Sequence, residues 1–330
     1  MSVSQLIKFT SSDSGGPGSI TGAAGSLLAV LDACLTGSLG SSYAIAHAAA
    51  LGWTKPFANS GNIGCYKQGA GAGLGLVIND DGPNGTSTYK EAWATGWESV
   101  AGVGSPVGTG TGQFPTPAQL GTTGQVVIRK SATADSTARS WVLFADASTF
   151  YLFVQTGDTS TMYYAFGFGD FYSLDSTSDA YRVFISGGST ANSATVTNYG
   201  MDITSSLNAA VVGMYCPRSY SGSGTSIALG KHGDTAKANA STTLLGGVVN
   251  PNAPDSSLYL SPVWVTESAT SAIRGQLRGF YHQLHPIAGF TDGQTFSGAA
   301  TFAGKTFYIV KESPNLGCFC IETSNTVQTN

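Results

Sequence analysis

Charged residues are scarce in this sequence, where Asp, Glu, Lys and Arg together make up 10% of 330 residues. An ordinary soluble domain carries roughly 25%. The net charge of −4 supplies no basic surface, which argues against nucleic acid or an anionic membrane as a partner. A weakly charged surface does little to keep free copies apart. The composition therefore favours a protein that works within an assembly, although secreted all-β proteins share it.

Several other features are missing. No run of 18 apolar residues occurs, so no membrane span is expected, and the first residues lack the basic and apolar regions of a signal peptide. The cysteines are odd in number and contain no CxxC, which argues against a disulfide framework and against a zinc site. They fit folding in a reducing compartment. The five are Cys34, Cys65, Cys216, Cys318 and Cys320.

Aromatic residues are concentrated between Ser140 and Phe171. This stretch contains three apolar runs, at 141–144, 150–154 and 162–168, separated by segments rich in Asp, Ser, Thr and Gly. Short β-branched and aromatic runs with such boundaries are typical of consecutive antiparallel strands. The sequence therefore predicts a three-stranded aromatic meander at the centre of the fold.

One helix is predicted, at about residues 25–36. Leu27, Leu28, Leu31, Cys34 and Leu35 fall on one face at helical spacing, and a glycine follows. We expect this helix to pack on a sheet. Residues 1–23 are rich in Ser, Gly and Thr and predict an extended arm with a short strand at 5–10.

The remaining patterns predict strands. Tyr89, Trp93 and Trp97 recur on one face of a strand at 89–97. Further strands are predicted at 61–68, 74–79, 125–129, 181–186, 209–215, 226–229, 243–249, 258–265, 277–283, 305–311 and 318–323.

The fold class is therefore mainly β, an antiparallel sandwich or barrel-like body with one N-terminal helix and long loops rich in Gly, Ser and Thr. Residues 101–124 lose the apolar pattern and predict a linker or a long surface loop. The domains would then be the 1–23 arm, a 24–124 lobe with the helix, and a 125–330 main β domain containing the meander. One continuous domain, 24–330, is the alternative.

Five groups of residues invite a chemical interpretation. The GxGxGxG segment 69–75 lacks a following helix and so favours a flexible or close-packed backbone over a phosphate loop. His282 and His285 lack the further ligand that zinc needs. Cys318 and Cys320 share a strand face and favour buried free thiols. Residues 79–81 (Asn-Asp-Asp) favour a turn over a calcium loop.

The fifth group is a set of carboxylates near aromatics, a pattern that glycosidases share. Its members are Asp146, Asp158, Asp170 and Asp175, all expected in turns. Tyr220 and Trp97, if exposed, could stack on sugar rings. We predict no catalytic, cofactor-binding or metal-binding residue, and no cofactor.

Eight segments carry a resemblance to a known family. They are 8–12 (KFTSS), 21–35 (TGAAGSLLAVLDACL), 52–57 (GWTKPF), 167–171 (GFGDF, expected as a turn), 274–281 (RGQLRGFY), 292–298 (DGQTFSG), 304–307 (GKTF) and 322–325 (ETSN). In these segments the chain resembles a family of structural proteins from the virions of tailed bacteriophages. The short, Ala-rich connection 38–51 would make it a trimmed version.

The resemblance implies a non-enzymatic virion component of the tail or baseplate region, or a peripheral adhesive or stabilising subunit. It would be assembled in the host cytoplasm and would pack with itself, as a ring or trimer, and with other virion proteins. Contacts with neighbours are expected from the 1–23 arm, the 101–124 loop and residues 324–330. The alternatives are a head decoration (cement) protein, a glycan-binding receptor-recognition module and, third, an enzyme that degrades surface polysaccharide.

Overall fold

The computed structural model describes residues 6–38, 43, 51–59, 62–80, 90–104, 106–120, 123–157, 163–174, 179–188, 212–224, 227–232, 260–267, 272–283, 291–313 and 317–323. The described part of the protein is mostly β, at 54% strand, and contains one short helix. The strands form a curled antiparallel sheet, a half-barrel. The predicted fold class is confirmed.

The described strands are β1 (Ile7–Thr10), β2 (Thr54–Asn59), β3 (Ile63–Lys67), β4 (Gly75–Asn79), β5 (Lys90–Gly102), β6 (Thr109–Phe114), β7 (Val126–Ser131), β8 (Trp141–Ala145), β9 (Thr149–Gln155), β10 (Tyr163–Asp170), β11 (Tyr172–Ser173), β12 (Val183–Gly188), β13 (Val212–Cys216), β14 (Ile227–His232), β15 (Leu260–Glu267), β16 (Ala272–Gln283), β17 (Thr295–Ser297), β18 (Thr306–Ser313) and β19 (Gly317–Thr323). Helix α1 (Ser26–Leu31) continues as a π-helical turn (Asp32–Thr36), and a 3₁₀ turn covers Ala300–Phe302. The strand predicted at 243–249 lies outside the described residues.

Strands β8, β9 and β10 form the predicted aromatic meander. They pair in succession as antiparallel neighbours, with Phe144 opposite Tyr151 and Phe168 opposite Phe150. Every residue of β8 is buried, and only Gln155 of β9 is not. A strand that is apolar on both faces must be covered on both sides. The meander is therefore a wall inside the molecule.

Two hydrophobic cores lie on the two sides of this wall. Phe150, Leu152 and Val154 point into the larger core, which also contains α1 and buried residues of β3, β4, β5 and β7. Tyr151 and Phe153 point into the second core, which the curled sheet from β12 to β19 encloses. Burying a side chain of this size stabilises the fold by roughly 1.5–3 kcal/mol.

The first described strand closes the curled sheet. Strand β1 pairs with β8, and Leu6 forms a parallel bridge with Thr323 at the end of β19. Thr323 Oγ1 donates a hydrogen bond to the Leu6 carbonyl at 3.0 Å. Phe9 and Ile20 are buried in the larger core. Residues 6–23 of the predicted arm thus lie against the body of their own chain.

Helix α1 packs on the sheet as expected, but its burial is not confined to one face. Val30 and Ala33 are buried as well as the five predicted apolar residues. The Tyr66 hydroxyl of β3 donates a hydrogen bond to the Leu28 carbonyl at 3.3 Å. The helix ends at Gly37, whose φ of 74° lies in the left-handed region.

Two predictions of irregular structure were wrong. Segment 101–124 contains β6, which pairs with β5 and buries Phe114 fully, so this part of the chain is a hairpin. Segment 167–171 is not a turn, since β10 runs to Asp170 and pairs with β12 there. The β5–β7 ladder crosses the boundary predicted at 124/125. The division into domains stays a prediction.

Candidate functional site

Asp146 lies in the turn between β8 and β9, as predicted, and joins that turn to β16. Its Oδ1 accepts hydrogen bonds from Ser148 N (2.8 Å), Ser148 Oγ (2.9 Å) and Thr149 N (2.8 Å). Its Oδ2 accepts two from Arg278, from Nε at 3.1 Å and from Nη2 at 2.8 Å. Both carboxylate oxygens therefore bind groups of their own chain.

Asp170 ends β10 opposite Val183, so its expected place in a turn was wrong. Its Oδ1 accepts a hydrogen bond from Gln68 Nε2 at 2.8 Å, and its Oδ2 accepts one from Arg182 Nε at 3.1 Å. The Ala72 amide lies 3.2–3.3 Å from both oxygens. Burial raises the pKa of the Asp170 carboxyl, while these donors favour its charged form.

The glycine-rich segment 69–75 wraps around this carboxylate. Gly71 has a φ of +80°, and a Cβ there would lie 2.4 Å from Asp170 Oδ2. The Ala70 amide donates to the Ala147 carbonyl at 2.9 Å, next to Asp146. Of the two forms predicted for this segment, a flexible or a close-packed backbone, the structure shows the close-packed one. The anion it holds is a side chain of its own chain.

Asp80 has a structural role that sequence reasoning missed. It follows β4 and is 1% exposed. Its Oδ2 accepts hydrogen bonds from the amides of Leu27 (2.9 Å) and Leu28 (3.3 Å) at the start of α1, and its Oδ1 pairs with buried Lys130. Asp80 thus supplies the cap that Gly25 does not. Asn79 donates to the Pro106 carbonyl at 3.2 Å, and Asp81 lies outside the described residues.

The thiols and histidines form no metal centre within the described part of the chain. No group of three or more His, Cys, Asp or Glu side chains there could hold a metal ion. The described cysteines are free and buried, as predicted for Cys320, and burial raises the pKa of Cys65 and Cys216 to about 12. His282 lies on β16 opposite Phe319. His285, Asp158 and Asp175 fall outside the described residues.

Arg274 of β16 is the centre of a second group of polar contacts, and its side chain is 1% exposed. It donates to both oxygens of Asp179, from Nε at 2.9 Å and from Nη2 at 2.7 Å. Its Nη1 lies 2.8 Å from Cys216 Sγ, 2.8 Å from the Arg218 carbonyl and 3.2 Å from Glu267 Oε1. We call these five residues the Arg274 hub. No local sequence pattern indicates it, because its members come from distant elements.

Three exposed apolar residues are linked to the hub through the main chain. Three of the four large hydrophobic residues that the described part exposes are Leu174 (67% exposed), Ile273 (51%) and Tyr220 (45%). The Leu174 amide donates to the Arg274 carbonyl at 2.8 Å, Ile273 precedes Arg274, and the Tyr220 amide donates to Glu267 at 2.6 Å. Each of these exposed residues is thus held in place by a backbone contact or chain connection to the hub.

Trp97 and Tyr220 differ in their exposure. Trp97 is 6% exposed, donates from Nε1 to the Val107 carbonyl at 3.0 Å, and packs in a small cluster with Ile63 and Val77. It offers no ring to a ligand. Of these two residues, Tyr220 is the one with an exposed side chain, at 45%.

No helix among the described residues has both the length and the apolar character needed to cross a membrane. Comparison of the sequence with protein-family models and with curated proteins found no match.

Proposed function

We propose that this chain is a non-enzymatic structural subunit of a tailed-phage virion, placed in the tail or baseplate region or as a peripheral adhesive or stabilising subunit. It would act by packing as a ring or trimer with copies of itself and with other virion proteins. The family resemblance supports the virion role, and the distribution of charge supports the packing.

The observation that carries the proposal is that the charges pair within the chain. At least eight of the 15 basic and nine of the 19 acidic residues form intramolecular ion pairs. Nine of these residues are buried: Asp80, Glu91, Arg129, Lys130, Asp146, Asp170, Asp179, Arg274 and Glu322. The paired charges that reach the surface largely cancel each other, so copies can approach each other with little repulsion.

The two candidate catalytic carboxylates also support a structural role. A general acid or base must reach the substrate with a free oxygen. Asp146 and Asp170 instead fix a turn, a strand end and the glycine-rich segment to one another. If the purified chain nevertheless depolymerised a surface polysaccharide and Asp146→Asn abolished this activity, the enzyme alternative would replace the proposal.

Two measurements test the proposal. Gold-labelled antibody against the chain should mark the tail end of purified particles, whereas labelled heads would favour the decoration alternative and unlabelled particles would refute a virion role. Light scattering on the purified chain should give the mass of an oligomer. Because neutral contacts are not screened by salt, we expect that mass to stay unchanged up to about 1 M salt. Dissociation in salt would contradict packing through neutral surfaces.

A further inference from the structure

The loop from Ser219 to Gly224 presents an aromatic ring together with three hydroxyls. Ser219 Oγ lies 3.0 Å from Ser221 Oγ and 3.0 Å from Ser223 Oγ, and the last two are 2.9 Å apart. This hydroxyl triangle lies at the surface beside Tyr220, which is 45% exposed.

The loop is held in one conformation by its own hydrogen bonds. The Ser219 amide donates to the Ser223 carbonyl at 3.1 Å, and the Gly222 amide donates to the Ser219 carbonyl at 2.9 Å. The Tyr220 amide donates to Glu267 of the Arg274 hub at 2.6 Å. Because the loop is already ordered, little binding free energy is lost to ordering it when a ligand binds.

The charged groups beneath the loop are already paired. Glu267 lies 3.2 Å from Arg274, and Arg218 donates to both oxygens of Glu98 at 2.6 and 3.0 Å. The loop itself contains no charged residue. A ligand that recognises this surface by its chemistry is therefore neutral.

We infer that the Tyr220 ring and the hydroxyl triangle form a subsite for a neutral saccharide. The electron-rich face of an aromatic ring attracts the C–H face of a pyranose. Each serine hydroxyl has one donor and two acceptor positions, and Ser219 Oγ donates to the Ser223 carbonyl at 2.9 Å. The three hydroxyls therefore have more acceptor positions than their own contacts use, and the remaining ones can accept from sugar hydroxyls. This inference is independent of the virion assignment, since a saccharide subsite is possible on a protein of any location.

A second copy of the chain is the competing occupant, because Leu174, whose amide donates to the Arg274 carbonyl, exposes an apolar side chain close to the hub. A dry contact between copies would bury the three hydroxyls, and each buried hydroxyl without a new partner is unfavourable. A saccharide replaces their water contacts with hydroxyl contacts. The chemistry of the loop therefore favours the saccharide.

Saturation-transfer NMR on the full chain with maltohexaose, cellohexaose and N-acetylated chitohexaose tests the inference. We expect transfer to at least one of them, with a Kd that rises about tenfold in Tyr220→Ala and about threefold in Ser221→Ala. Tyr220→Phe keeps the ring and should recover most of the affinity. Unfolding curves of each variant show whether the fold is intact.

Leu174→Ser is the matched control, because it removes an exposed apolar side chain from the same hub but not from the subsite. It should leave saccharide affinity unchanged. Transfer to none of the three oligosaccharides, or equal affinity in Tyr220→Ala, overturns the inference. If Tyr220→Ala and Leu174→Ser instead both reduce the oligomer mass without affecting sugar binding, the surface is a subunit contact. The antibody-labelling experiment does not depend on saccharide binding. A failure of the virion proposal can therefore be told apart from a failure of the saccharide subsite.

Discussion

Arg274 donates two parallel hydrogen bonds to the carboxylate of Asp179, at 2.9 and 2.7 Å, where both side chains are at most 1% exposed. Two-pronged pairing of this kind fixes orientation as well as distance. Through it, β16 is held to the segment before β12, 95 residues away in sequence.

Removing one partner of this pair should destabilise the fold strongly. Asp179→Asn leaves the buried guanidinium without its main counter-charge, and we expect the free energy of unfolding to fall by about 3–5 kcal/mol. Asp32→Asn is the control, because Asp32 and Lys55 are 24% and 21% exposed, and it should cost about 0–1 kcal/mol. Urea denaturation measures both. Equal losses would show that the buried Asp179–Arg274 pair contributes no more to stability than the partly exposed Asp32–Lys55 pair.

The glycine-rich segment supplies a matched pair of substitutions. Gly71 and Gly73 have φ values of +80° and +70°, so alanine at either position costs roughly 1–2 kcal/mol of backbone strain. Only at Gly71 would the new methyl group meet Asp170; at Gly73 it meets nothing within 4 Å. We expect Gly71→Ala to be the more destabilising by about 1–3 kcal/mol in thermal or urea unfolding. A smaller loss at Gly71 than at Gly73 would refute the close packing.

The raised pKa of the buried Asp170 carboxyl predicts that stability depends on pH. Burial raises its pKa above 3.8, so the folded state holds the proton more tightly than the unfolded chain does. Stability should therefore fall as the pH rises from 3.8 through the raised pKa, and this fall should be shallower in Asp170→Asn. Urea unfolding at a series of pH values measures the slope.

Asp135→Asn is the control for that slope. Hydrogen bonds from Thr137, with a further one from Thr133, lower the pKa of Asp135 to about 2. A lowered pKa gives a contribution that is lost only as the pH falls from 3.8 towards 2. The slope at higher pH should match that of the wild type. Identical slopes in all three proteins would show that Asp170 is not the group responsible.

The meander should be sensitive to truncation on both of its faces. Phe150 and Phe153 lie in different cores and are at most 1% exposed. We expect Phe150→Ala and Phe153→Ala each to lower the free energy of unfolding by about 3–5 kcal/mol. Phe57→Ala, at a ring that is 37% exposed on β2, should cost less than about 1 kcal/mol. Tolerance of either core substitution in urea unfolding would mean that one face of the meander is not packed.

The sequence predicted the meander because its short apolar and aromatic runs are bounded by residues common in turns, which is typical of consecutive antiparallel strands. The β5–β6 hairpin was missed because its glycines resemble loop residues. Gly110 is required by packing instead, since a Cβ there would lie 2.1 Å from the Ser99 carbonyl oxygen, and Gly112 has a φ of +67°. Composition alone does not distinguish a glycine that loosens a chain from one that lets two strands approach.

The strand at 89–97 shows a second limit. The recurrence of Tyr89, Trp93 and Trp97 on one face predicted its existence, but it did not predict which face is buried. In the structure the small residues Ala92 and Ala94 face the larger core, while Trp97 packs in a minor cluster on the other side. The size of a side chain therefore does not by itself identify the face of this strand that lies in the larger core.

The polar clusters could not be predicted from sequence at all. Asp80 and Lys130 are 50 residues apart, and Arg274 meets Cys216 across 58. Neither pair produces a repeating pattern in the sequence. Two adjacent aspartates, such as Asp80 and Asp81, are typical of a turn. Only the folded topology brings these groups together.

The bridge between Leu6 and Thr323 joins positions 317 residues apart in the chain. A ribosome makes β1 among the first strands and β19 near the end, whereas the hairpins of the meander form from neighbouring residues. Local pairings close quickly and distant ones slowly. The nascent chain can thus build its central wall early, whereas the bridge between Leu6 and Thr323 forms only after synthesis has reached residue 323.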